Sequence, residues 1–65
     1  MRIGQRYRIT LTSWIAPNGK IPAQTLVGTY LERGTVQGKP HIRLLLDNGD
    51  KCVIPIEAIV NAQKA

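Results

Sequence analysis

The side chains best suited to catalysis in this sequence are its single histidine, His41, and its single cysteine, Cys52. Together they could form a thiol nucleophile activated by an imidazole base. They lie on the two strands of a predicted hairpin, in a register that directs their side chains to opposite faces. We therefore expect that they do not meet, and we interpret Cys52 as a small buried apolar residue.

Two carboxylates, Asp47 and Asp50, flank the turn of that hairpin. Aspartate commonly hydrogen-bonds the backbone in turns, and a catalytic carboxylate pair would need a pocket that shifts one pKa. The sequence also has no cluster of cysteine, histidine and carboxylate residues for a zinc ion and no glycine-rich phosphate loop. It predicts a protein that is not an enzyme, with no cofactor and no small-molecule substrate.

Charge is the strongest compositional signal. Nine lysine and arginine residues oppose four acidic residues, for a net charge of +5 and an isoelectric point near 10.0. A basic domain of this size favours anionic partners, and nucleic acid is the commonest inside cells. The alternative is that the charges serve solubility or are neutralised in an assembly.

The clearest structural element is a hairpin between the apolar runs 42–46 and 52–56, joined by Asp47-Asn48-Gly49-Asp50. A two-residue Asn48-Gly49 turn would put the apolar residues of the two strands on different faces. A three-residue loop, 47–49, aligns them and gives Gly49 the left-handed position of a bulge. This predicted register sets Leu44 opposite Cys52 and Ile42 opposite Ile54.

The rest of the chain favours strands and turns. Alternation predicts a half-buried strand over 5–11, and 24–31 predicts a second strand, in which Gly28 allows a bend, a bulge or a close backbone approach. We expect a long loop at 13–23 with a turn at 17–19, a second loop at 32–40, a 3₁₀ turn at 56–58, a last strand at 59–62 and fraying at 63–65. No segment predicts an amphipathic helix, so the predicted fold class is all-β.

Sixty-five residues predict one domain, 1–65, with a small core. The first residues contain no apolar run of signal-peptide length, and no stretch has the roughly 20 apolar residues of a membrane helix. We expect a cytoplasmic protein without a membrane partner.

This order of elements resembles the SH3-like small barrel, in which five strands wrap into a closed sheet with a 3₁₀ turn before the last strand. The long first loop of that family corresponds to 13–23, and its tight hairpin to 47–49. The Sm-like barrel shares the five strands, but it usually opens with a helix for which nothing before Ile3 has room. The resemblance to bacterial SH3-like barrels implies contact with RNA, DNA or polymerase. Proline-rich peptide recognition is disfavoured, because the first loop has Lys20 where acidic residues are expected.

The candidate site combines cations with one aromatic side chain. In a barrel the two loops approach each other, so residues from both could line one surface and bind RNA or DNA through phosphate contacts and base stacking. The predicted nucleic-acid-binding residues are Arg6, Arg8, Trp14, Lys20, Arg33, Lys39 and Arg43. In the alternative for this site, Trp14 caps the core and the charges are scattered around the barrel.

A protein-interaction module is the rival prediction for function. Leu45, Val53 and Val27 fall on the outward side of the predicted strands, where they could form an apolar patch. Such a patch, or an unpaired sheet edge, would suit self-association or a place as a small subunit or inhibitor of a larger complex.

Overall fold

Seven β-strands and one 3₁₀ turn form the protein in a computed structural model that describes residues 1–65. None of its segments is a helix with the length and hydropathy needed to cross a lipid bilayer. The elements in chain order are β1 (Arg6–Leu11), β2 (Trp14–Ala16), β3 (Gly19–Ile21), β4 (Gln24–Val36), β5 (Lys39–Leu46), β6 (Lys51–Pro55), the 3₁₀ turn (Ile56–Ala58) and β7 (Ile59–Lys64).

Five of the strands form one antiparallel sheet in the order β6-β5-β4-β1-β7, and β2 pairs with β3 in a separate two-stranded hairpin. The predicted all-β class is confirmed, as is the 3₁₀ turn before the last strand. The sheet is open, because its edge strands β6 and β7 each pair on one side only and not with each other. The prediction of a closed sheet is therefore wrong, because no backbone pairing joins the two edge strands.

The core lies on one face of the five-stranded sheet. Along β1, Tyr7, Ile9 and Leu11 are buried and alternate with more exposed polar residues, as the period of two of a strand requires. Leu44 of β5 and Ile54 of β6 are fully buried against them. Arginine and threonine side chains of β1 are thereby directed to the opposite, outer face.

The β5–β6 hairpin has the predicted register, with Leu44 opposite Cys52 and Ile42 opposite Ile54. The Gly49 N–H donates to the Leu46 carbonyl at 2.9 Å, which closes the turn, and Gly49 has φ of +93°. The three-residue loop with a left-handed glycine is therefore confirmed.

The second predicted loop, 32–40, is wrong, because β4 runs through it to Val36 and β5 begins at Lys39. The two strands pair up to a tight turn in which both Gln37 and Gly38 have positive φ, as a two-residue hairpin of type I′ requires. A bulge at Leu31 shifts the register and bends the strand. This bend allows β4 to pair with β1 through its first half and with β5 through its second half.

Two other predicted segments need correction. The region 13–23 is not an irregular loop, because β2 and β3 pair across it, from Trp14 opposite Ile21 to Ala16 opposite Gly19. At the other end, residues 63 and 64 are not frayed, because both pair with β1. In each case backbone pairing with a neighbouring segment orders the residues.

Candidate functional site

A groove of about 790 Å³ opens between the β2–β3 hairpin and the β4–β5 hairpin. One wall is residues 12–17, which include β2, and the other is the tip of the β4–β5 hairpin, including Val36 and Lys39. Its floor is formed by Val53 and Pro55 of β6 and by the 3₁₀ turn. Three separate parts of the chain therefore build one open surface, which we call the groove.

Three aliphatic side chains are exposed in the lining of the groove. Ile15 is 78% exposed, Val36 44% and Val53 45%. Trp14 is half-buried, and it packs against the core while lining the groove. Three exposed aliphatic side chains from separate strands therefore line one groove.

The charged groups in the lining of the groove are Lys39 and Glu57, and His41 lies with them. Lys39 Nζ lies 3.9 Å from Glu57 Oε1, an exposed and therefore weak ion pair. His41 Nδ1 lies 2.9 Å from the Lys39 carbonyl oxygen, which can only accept, so Nδ1 carries the proton. Lys20 is directly opposite Ile15 in the β2–β3 hairpin and adds a cation beside one wall. Glu57 is the single carboxylate in the lining.

A shallower depression continues the groove along the outer face of the main sheet. The two share Val36, His41 and Val53, and the depression ends at Glu32 and Arg43. Arg43 Nη1 donates to Glu32 Oε1 at 2.7 Å. This ion pair lies at one end of the depression.

A second feature is the outer side of β7, β1 and the first half of β4. Its residues form cross-strand rows in which Arg8 lies between Val27 and Gln63, and Thr10 lies between Thr25 and Asn61. No acidic residue belongs to these rows. We call this surface the polar sheet face, and its residues are Arg6, Arg8, Thr10, Thr25, Val27, Thr29, Asn61 and Gln63.

The structure divides the predicted nucleic-acid-binding residues among different places. Trp14 and Lys39 line the groove, whereas Arg6, Arg8 and Arg43 project from the outer face of the sheet. Lys20 was predicted at the tip of the first loop and lies in the middle of β3, two residues beyond the Pro17-Asn18 turn. Arg33 lies within β4 opposite the buried Ile42, which directs it away from the outer face. Arg33 and Lys39 are therefore strand residues. The two predicted loop regions do approach each other, with Trp14 and Lys39 lining the groove and Lys20 beside it, but Arg33 does not belong to this surface.

Ion pairs further reduce the number of free cations. Arg6 Nη2 donates to Asp47 Oδ2 at 2.6 Å, and Lys39 and Arg43 have carboxylate partners as described. Arg8, Lys20 and Arg33 form no ion pair. Among the predicted cations of the outer face, Arg8 alone is thus unpaired.

Sequence reasoning assigned Val53 to the outward side but did not place it in a groove. The register confirms that Leu45, Val53 and Val27 face outward, opposite Lys51, Arg43 and Arg8 respectively. Only Val53 lines the groove, and Leu45 and Val27 lie on the same outer face of the neighbouring strands β5 and β4. Ile15 and Val36 were not predicted as site residues, although both lie close to the turn of a hairpin.

The groups first considered for catalysis are far from a catalytic arrangement. The hairpin register puts His41 and Cys52 on opposite faces, as predicted. Cys52 packs against the core, and burial raises the pKa of its thiol, so the reactive thiolate is disfavoured. No group of three or more histidine, cysteine and acidic residues is placed to hold a metal ion.

The tip of the β5–β6 hairpin is a local hydrogen-bonded turn. The Asp50 N–H donates to Asn48 Oδ1 at 3.0 Å, and the Asn48 amide donates to Asp50 Oδ2 at 3.2 Å. The first is the contact between side chain and backbone that is expected of a turn residue, and the second joins two side chains.

Comparisons of the chain with protein-family models, with curated proteins and with solved structures found no match.

Proposed function

We propose that this chain has an SH3-like fold with an open sheet and acts as a non-catalytic interaction module, with an extended polypeptide segment of a partner bound in the groove. The SH3-like assignment is supported by connectivity. The strand order β6-β5-β4-β1-β7 returns the last strand to the first after a 3₁₀ turn, and a long connection separates β1 from β4. The β2–β3 hairpin would be the long first loop of that family.

The observation that carries the functional proposal is the convergence of Ile15, Val36 and Val53. These three exposed aliphatic side chains come from different hairpins and face one groove. Burying each of them would contribute roughly 1.5 kcal/mol to binding before ordering costs. An extended polypeptide segment can place successive side chains along such a surface.

Charge favours an acidic ligand segment. Lys39 lines the groove and Lys20 lies beside it, whereas Glu57 is held near Lys39. The whole chain carries +5, which adds long-range attraction for an anionic partner. The proposed ligand therefore combines a branched or aromatic apolar residue with neighbouring aspartate or glutamate. It differs from the basic, proline-rich ligands disfavoured by the sequence.

Selection from a phage-displayed random peptide library tests this proposal. Enriched peptides should share acidic residues next to an apolar anchor. Because Trp14 is the only tryptophan and lines the groove, its fluorescence should change when a synthetic enriched peptide binds.

Matched substitutions locate the binding surface. Val53→Ser should weaken the peptide about tenfold through lost apolar contact, whereas Val60→Ser removes a 68% exposed valine from β7 and should have no effect. Lys39→Glu should likewise weaken an acidic peptide more than Lys64→Glu. Failure to enrich any peptide family, or equal effects of Val53→Ser and Val60→Ser, would contradict the proposal.

A further inference from the structure

The polar sheet face is separate from the groove and has a different chemistry. It contains two arginines, three threonines, one asparagine and one glutamine, with Val27 as its one apolar member. Burial on the other side of β1 fixes the direction of these side chains, because Tyr7, Ile9 and Leu11 occupy the core. We propose that this face binds the sugar-phosphate backbone of a nucleic acid.

The charge on the face supports a polyanionic ligand. Arg8 is exposed and forms no ion pair, and Arg6 is two residues away on the same strand, about 6.8 Å along it. Each guanidinium can donate two parallel hydrogen bonds to a phosphate. The row through Arg6 continues across Thr29 and Leu45 to Lys51, so it has a cation at each end, on β1 and on β6.

Asp47 limits the availability of Arg6. The pair is exposed, with 49% and 61% of the two side chains accessible, and exposed pairs are weak. A phosphate can therefore displace the carboxylate, but the competition lowers affinity. This predicts that removing the Asp47 charge strengthens binding.

The neutral residues indicate how a nucleic acid would be recognised. Thr10, Thr25, Asn61 and Gln63 offer hydroxyl and amide groups on both sides of the arginines. Phosphate and sugar oxygens accept hydrogen bonds from such groups, and these contacts carry no sequence information. No aromatic side chain lies on the face, so base stacking is not available there. We therefore expect backbone binding with little sequence preference.

Fluorescence anisotropy with a labelled oligothymidylate, at several salt concentrations, tests the site. Arg8→Gln should lower affinity about tenfold and shallow the slope of log affinity against log salt by about 0.7. Arg33→Gln removes the same charge from the other side of the sheet and should change affinity by less than about twofold. A labelled duplex of mixed sequence measures whether paired strands bind as well.

Removal of the Asp47 charge is expected to increase the affinity for nucleic acid. Asp47→Asn should tighten oligothymidylate binding and steepen its salt dependence, whereas Glu57→Gln, the same charge change in the groove, should have a smaller effect. Val53→Ser should leave nucleic-acid binding unchanged, which separates this site from the groove.

Three results would overturn the inference: no binding of either nucleic acid at low salt, equal losses from Arg8→Gln and Arg33→Gln, or equally tight binding of polyglutamate. The last would show a general attraction to polyanions.

Discussion

Gly28 of β4 lies so close to Leu45 of β5 that a methyl group added to the glycine would sit 2.7 Å from the Leu45 carbonyl oxygen. The neighbouring strand therefore leaves no room for a side chain at this position. Gly28 is also paired with Tyr7 of β1, so it lies where the sheet passes from one neighbour of β4 to the other. The sequence predicted a bend, a bulge or a close approach here, and close approach is the outcome.

Substitution of Gly28 by alanine should destabilise the fold. The obstructing atom is a backbone oxygen that cannot rotate away, so we expect a loss of about 1–3 kcal/mol in the free energy of unfolding, measured by urea denaturation. Gly34→Ala in the same strand is the control, because open space surrounds that position and its φ is not positive. It should be neutral or slightly stabilising. Equal stability of the two variants would contradict this account of Gly28.

The N-terminal turn depends on the hydroxyl group of Tyr7, which accepts a hydrogen bond from the Arg2 N–H at 2.6 Å. Tyr7→Phe removes the acceptor and should lower the free energy of unfolding by about 0.5–1.5 kcal/mol. It should also speed amide hydrogen exchange at Gln5, whose N–H donates to the Arg2 carbonyl within this turn, and at Gly4, whose N–H donates to the Tyr30 carbonyl of β4.

Tyr30→Phe is the matched control for that prediction. Tyr30 is as buried as Tyr7, at 7% exposed, but its hydroxyl forms no hydrogen bond within the protein. The variant should unfold within about 0.5 kcal/mol of the wild type. A larger effect at Tyr30 than at Tyr7 would argue against the role assigned to the Arg2 contact.

The parts of the fold that the sequence predicted are those set by local chemistry. Asn48-Gly49 between apolar runs determined the turn, and matching the apolar faces then determined the register up to Ile54. The extent of β4 was missed because Glu32, Arg33 and Gly34 have little strand preference. They are extended because β5 pairs with them, and the sequence of β4 alone does not reveal that pairing.

The candidate groove was harder to predict for the same reason. Trp14, Val36 and Val53 are distant in sequence, and only the fold brings them together. The cations were visible from composition, but their grouping depends on which face of a strand each occupies. Arg8 was placed correctly by alternation, whereas the bulge at Leu31 changed the face of Arg33. The prediction had placed Arg33 in a loop, so it had assigned this residue to neither face of a strand.

The reactivity of Cys52 should reflect its partial burial. Because burial raises the pKa of the thiol, alkylation by iodoacetamide should be slower in the folded chain at mildly alkaline pH and should reach its maximum at higher pH than in urea. The unfolded chain is the control, since it contains the same single cysteine. Superimposable pH profiles of the folded and unfolded chains would show that the thiol is not desolvated.

The same shift links stability to pH. The folded state holds the Cys52 proton more tightly than the unfolded state. The protonated thiol therefore contributes to the stability of the folded state, and this contribution is complete below the pKa of the unfolded thiol. It is lost as pH rises through the folded pKa. Cys52→Ser should therefore flatten the alkaline part of a plot of unfolding free energy against pH.

Two neighbouring residues of β6 should differ sharply in their contribution to stability, because they lie on opposite faces of the sheet. Ile54 is fully buried and Val53 is 45% exposed in the groove. Ile54→Val should cost about 0.5–1.5 kcal/mol and Ile54→Ala about 2–5 kcal/mol, a large part of the stability of so small a domain. Val53→Ala should change the free energy of unfolding by about 0.5 kcal/mol or less, because solvent already reaches the removed atoms.

Urea denaturation of the three variants measures the difference, and the conservative Ile54→Val change keeps it measurable if Ile54→Ala does not fold. A greater loss from Val53→Ala than from Ile54→Val would mean that the valine belongs to the core and does not serve as an exposed contact for a partner.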